Sequence, residues 1–180
     1  MTRDQDGMLV QACLRGDRSA FGQLVDRYEG PLFNAAYRIT GSVDDAIDAT
    51  QAAFVIAFEK LHTFDPCTRF FSWIFRITLN QAFNVVSHRR PMTGFADDTP
   101  SAGRDPEAAL SETEAALFLQ QALMELDLQY RTVVVLKHIE GFSCREIGTL
   151  LDIPENTVTS RLFTARRRLR GILAEKGSVR

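Results

Sequence analysis

GFSCREIGTLLDIPENTVTSRLFTARRRLR, residues 141–170, reads as two short helices joined by a tight turn. Gly141 ends a preceding helix, where a residue free to adopt positive φ is favoured. Ser143-x-x-Glu146 is a capping box, each side chain satisfying an orphan amide at the start of a helix. Ile147, Leu150 and Leu151 form the buried face of that helix. Gly148 costs roughly 1 kcal/mol against Ala inside a helix, a cost that fits a place where the second helix crosses closely. Asp152 sits at the turn, where Asp visits the left-handed region. Pro154 fits the first turn of the following helix.

On that second helix Val158, Leu162, Ala165 and Leu169 form one apolar stripe. The opposite face holds Asn156, Ser160, Phe163 and Arg167, with Thr159, Arg161, Thr164, Arg166 and Arg168 on the flanks. Short polar groups near the start of such a helix reach base edges, and arginines toward its end hold phosphates. The candidate DNA-binding residues are therefore Asn156, Thr157, Thr159, Ser160, Arg161, Phe163, Thr164, Arg166 and Arg167. The arginine run alone is equally that of an amphipathic surface helix with a basic outer side. The capped pair, the short turn and the separation of faces favour DNA.

Charge is distributed to match. The formal net charge is −2, but residues 129–180 carry 10 basic and 5 acidic side chains, whereas residues 95–128 carry 1 and 8. A basic end beside an acidic middle is the asymmetry of a nucleic-acid module next to a solvated connector. Three widely spaced cysteines, Cys13, Cys67 and Cys144, point to a reducing, cytoplasmic setting rather than a disulfide framework. No apolar run is long enough for a membrane span.

Outward from this stretch nearly every segment has helical periodicity, so the expected fold is all-α: two small helical domains, residues 8–90 and 108–175, joined by a flexible acidic linker, 91–107. A short first helix closes near Gly16, and Asp17 or Ser19 caps the next. Gly30-Pro31 predicts a kink or break in that second helix. Ser42 with Asp45 resembles a capping box and opens a helix to about Leu61. A fourth helix is expected from about Thr68 to Ser87, and Ser111-x-x-Glu114 caps one that runs to about Glu125. Another spans about Leu128 to Glu140.

The segment from Leu126 to Leu169 resembles the C-terminal domain of extracytoplasmic-function (group 4) sigma factors of the sigma-70 family. The shared residues are Val133, Val134, Leu136, Glu140-Gly141, Ser143-x-x-Glu146-Ile147, Ile153-Pro154, Thr157-Val158-x-Ser160-Arg161-Leu162 and Ala165-Arg166-x-x-Leu169. In that family the domain reads the −35 promoter element. Asp152 stands where the family usually has Gly, and Thr159 where a basic residue is frequent.

The N-terminal half carries the family's other signature. Asp45-Ala46-x-Asp48-x-x-Gln51-x-x-Phe54 resembles its polymerase-binding helix, and Phe64-x(6)-Phe71-x-Trp73-Ile74-x-Arg76-Ile77-x-x-Asn80, followed by Arg89-Arg90, its promoter-melting segment. The resemblance implies that Asp45, Asp48 and Gln51 bind core RNA polymerase, a spacing that lets all three share one helix face. It implies that the loop from His62 to Arg69 and the polar face beyond it, with Phe64, Arg69, Arg76, Asn80 and Asn84, hold the −10 strand. Interleaved aromatic and basic groups suit single-stranded DNA, and family members capture a flipped base there.

What the resemblance implies is a sigma factor that directs bacterial RNA polymerase to specific promoters, held in check by an anti-sigma factor. It is not itself an enzyme, and no cofactor or metal is called for. His62 and Cys67 lack the further ligands a metal site needs, and no phosphate-binding Gly-rich loop is present. Two other classes stay open on sequence: a helix-turn-helix regulator that binds DNA alone, and a sigma-like module that only titrates an anti-sigma partner. The N-terminal signature argues against the first.

Overall fold

In the computed structural model, residues 3–88 and 114–177 are described. The chain divides into two compact units, the first holding residues 3–88 and the second 114–177. Among the described residues every regular element is a helix or a helical turn. The expected linker, Arg89-Arg90 and the Ser111 cap lie outside them.

The first unit contains α1 (Arg3–Leu14), α2 (Arg18–Thr40), α3 (Val43–Glu59), a 3₁₀ turn (Leu61–Thr63) and α4 (Phe70–His88). Gly16, at φ 102°, ends the α1 region, and Asp17 caps α2 by accepting from the Ser19 amide at 3.0 Å. α3 packs against both α2 and α4. Its inner face is Ala46, Ala49, Ala53 and Ala57, all fully buried, and such small side chains let helix backbones approach. Leu24, Leu32 and Ile39 of α2 and Ile74, Phe75 and Leu79 of α4 fill the remaining core. Buried Asp6 accepts from Arg27 and from the Tyr28 hydroxyl, tying α1 to α2. Burial, then the Asp6 carboxylate, push the Tyr28 hydroxyl up to about 12.

Of the kink or break expected at Gly30-Pro31, the break does not occur: α2 runs through Pro31 to Thr40. Pro31 faces solvent, while Leu24, Leu32, Ala35, Ala36 and Ile39 continue one buried stripe across it. The proline removes one backbone hydrogen bond, and packing of the stripe on both sides holds the helix together.

The second unit contains α5 (Glu114–Met124), α6 (Leu128–Val134), a π-helical turn (Val135–Ile139), α7 (Cys144–Leu151) and α8 (Glu155–Gly177). A regular helix to Glu140 was expected. Instead Glu140 N donates to Val135 O at 3.0 Å, the wider π spacing. Four consecutive apolar residues cannot share one stripe of a regular helix, yet Val133, Val134, Val135 and Leu136 are all buried. Buried Arg131 donates to the carbonyls of Met124 and Leu126 at 3.1 and 3.0 Å, capping the end of α5.

Candidate nucleic-acid interface

The helix pair in the second unit is built as its sequence requires. Ser143 N donates to Glu146 Oε2 at 2.8 Å and Glu146 N donates to Ser143 Oγ at 3.2 Å, completing the capping box. Gly141 takes φ 75° and Asp152 φ 53°. Ile147 and Leu150 are buried, Leu151 half-buried. Pro154 stands just before α8, and its carbonyl accepts from Thr157 and Val158 at 2.9 and 3.2 Å, so it occupies the cap position rather than the first turn proper.

α8 separates its faces cleanly. Val158, Leu162 and Ala165 are buried and Leu169 half-buried. Asn156, Ser160, Phe163 and Arg167 are exposed together, Phe163 at 69%. Thr159 and Arg166 are exposed on one flank; Thr157, Arg161 and Thr164 are half-buried on the other. The short hydroxyls also bond locally, Thr159 Oγ1 to Glu155 O and Ser160 Oγ to Thr157 O, each at 3.1 Å. Arg166 has a partner within the unit while staying exposed: its Nη2 and Nε lie 3.2 and 3.3 Å from His138 Nε2. Burial first, then the charges of Arg166 and Lys137, lower the His138 pKa. Arg145 and Thr149 of α7, not anticipated from sequence, border a cavity of about 450 Å³ beside the turn with Asp152 and Glu155.

In the first unit the polar faces are narrower than expected. Asp48 and Gln51 are exposed, but Asp45 is 8% exposed near the start of α3, its amide donating to Ser42 Oγ at 3.3 Å. Two steps of three residues carry a side chain about 120° round a helix, so Asp45, Asp48 and Gln51 do not share one accessible face. The exposed row is Asp44, Asp48, Gln51, Val55 and Phe58, with Val55 59% and Phe58 42% exposed. Following steps of three and four outward from Asp48 finds that row in the sequence.

On α4, Arg76, Asn80 and Asn84 form an exposed row with Arg69 just before the helix. Phe64 does not project. Its ring packs edge-on against Phe70 and Trp73, centroids 5.6 and 5.5 Å apart. It also walls a cavity of about 550 Å³ together with Met8, Gln11 and Arg15 of α1 and Pro66. The turn beneath is fixed by Asp65, whose Oδ1 accepts from Cys67 N and whose carbonyl accepts from Thr68 Oγ1, both at 2.8 Å. Phe70 and Phe75 are core; Phe71 and Trp73 are half-buried. No helix among the described residues is long and apolar enough to cross a membrane, and no three His, Cys, Asp or Glu side chains among them cluster as metal ligands.

Comparison with known proteins is consistent across both units. Residues 24–91 match the family model for sigma-70 region 2, and residues 117–169 that for sigma-70 region 4. The chain is 33% identical over 175 residues to the ECF RNA polymerase sigma factor SigW of Bacillus subtilis, covering 89% of this chain and 92% of that protein. It is 33% identical over 178 residues to the RNA polymerase sigma-H factor of Pseudomonas aeruginosa, covering 92% of each. Its structure is similar to that of CnrH in complex with the cytosolic domain of CnrY, with TM-score 0.72, 30% identity, and 95% of this chain and 98% of that one covered. This chain belongs to the extracytoplasmic-function RNA polymerase sigma factors of the sigma-70 family.

Proposed function

We propose that this chain is a group 4 sigma subunit, acting in the cytoplasm, that grips a promoter at two points. In this reading residues 8–90 bind core polymerase and open the −10 element, 91–107 connect, and 108–175 read the −35 element. The observation that carries it is the pairing of two kinds of polar face: an acidic row on α3 in the first unit, and a polar, arginine-bearing row on α8 in the second. The first suits a protein partner and the second a DNA groove. The polymerase supplies the chemistry, and this chain is not an enzyme.

Asp48 and Gln51, with Asp44, Val55 and Phe58 around them, are assigned to the polymerase; Asp45 serves the start of α3 instead. Arg69, Arg76, Asn80 and Asn84 hold the opened strand. The cavity walled by Phe64 receives one extruded base, with Gln11 and Arg15 as polar partners, since extruded bases are read by stacking and hydrogen bonds in a pocket. Asn156, Thr157, Thr159, Ser160 and Phe163 face base edges, while Arg161 and Arg167 hold phosphates. An anti-sigma factor belongs to the same reading, supported by the family and by the solution of the similar CnrH bound to a cytosolic protein domain.

Photo-cross-linking within a promoter complex tests the assignment. A cross-linker at position 84 reaches the −10 strand only after melting, and one at position 167 reaches the −35 duplex. Cross-links of both to the same element would contradict it.

A further inference from the structure

α8 carries arginines at 166, 167, 168 and 170, and the structure sorts them. At about 100° per residue, Arg167 continues the row of Asn156, Ser160 and Phe163, while Arg166 and Arg168 fall on either side of it. Both flanking guanidiniums, though exposed, have partners within the unit. Arg168 Nη1 donates to Asp127 Oδ2 at 2.6 Å, and its guanidinium carbon lies 4.6 Å from the centre of the Tyr130 ring. Asp127 sits at the corner between α5 and α6, and Tyr130 lies in the first turn of α6. Across the helix, Arg166 meets His138 in the π turn at 3.2 Å. Two different elements therefore pin the same stretch of α8, one from each flank, and Arg167 stands between the pins.

We propose that Arg168 is a positioning residue for DNA reading: acting through Asp127 and Tyr130, it fixes the rotation of α8 that presents Asn156, Ser160, Phe163 and Arg167, and it does not bind phosphate. This rests on the DNA-reading assignment of α8. A guanidinium neutralised by a carboxylate and stacked on an aromatic ring has little charge left to offer a phosphate. An exposed ion pair adds little to global stability, so its contribution is local: it holds the order and orientation of this stretch of α8, and base reading tolerates only small errors of angle. Asp127 makes no side-chain capping bond to α6, but its charge also supports buried Arg131, so exchanging the pair restores the Arg168 contact at a cost to Arg131.

The test uses the full chain with core polymerase and the duplex most enriched by the wild-type holoenzyme from a randomised pool, with affinity measured against salt. Each lost phosphate contact lowers the slope of log affinity against log salt by about 0.9. Arg167→Ala shows that drop. Arg168→Ala weakens binding several-fold with the slope unchanged, and the exchange Asp127→Arg with Arg168→Asp recovers part of the loss. A fall in slope for Arg168→Ala, or an exchange weaker than Arg168→Ala, would overturn the proposal. Amide exchange of α8 in the free chain needs no DNA: it quickens in Arg168→Ala and recovers in the double exchange. Unchanged exchange would overturn the pinning, whereas failure of the wild-type holoenzyme to enrich any duplex would overturn the DNA reading alone.

Discussion

Gly148 and Ile153 are packed so closely that a Cβ on the glycine would lie 2.8 Å from the Ile153 carbonyl oxygen. The Ile153 amide in turn donates to the Gly148 carbonyl at 3.0 Å. This point sets the angle at which α8 leaves α7. Gly148→Ala gains about 1 kcal/mol of helix propensity, but overpacking against fixed backbone costs about 1–3 kcal/mol. The expected result is net destabilisation of the second unit in urea unfolding, together with weaker −35 binding. A variant more stable than wild type would show that the contact is slack.

Asp45 and Asp48 separate by role. Asp48→Ala and Gln51→Ala weaken core polymerase binding, more so together, and change stability by no more than about 0.5 kcal/mol, as surface substitutions do. Asp45→Ala lowers stability by about 1 kcal/mol through loss of a carboxylate at a helix N-terminus. Thermal melting and a polymerase-binding titration read the two effects separately.

In the first unit the −10 assignment divides in a similar way. Truncating a buried aromatic costs about 3–5 kcal/mol, so Phe64→Ala lowers stability before it says anything about DNA. Gln11→Ala and Arg15→Ala leave melting unchanged and reduce permanganate reactivity of the opened −10 strand. Full reactivity in both would show that the cavity does not receive the extruded base.

The pin at His138 carries a pH dependence. Burial, Arg166 and Lys137 hold its folded pKa below the ordinary 6.5, so in that window the unfolded chain takes up the proton first. The contribution is complete above about pH 6.5 and is lost as pH falls through the depressed folded value. Melting temperature followed on the acid side of neutrality should fall faster in wild type than in His138→Gln.

Local rules made much of this legible. The Ser143–Glu146 box, the left-handed Asp152 and the stripe of Val158, Leu162 and Ala165 each follow from a few neighbouring residues. What depended on packing was not legible. Pro31 reads as a kink or break, and that the helix continues through it follows only from the buried stripe on both sides. Phe64 reads as a stacking platform until Phe70 and Trp73 enclose it. The partners of Arg166 and Arg168 lie 28 and 41 residues away, with no periodic signal linking them.

Run-off transcription with purified core polymerase across a promoter library asks whether this chain directs initiation. Initiation is expected at a defined subset of promoters, dependent on this chain and reduced by substituting Asp48 and Gln51. No stimulation from any promoter, with core binding absent, would contradict it.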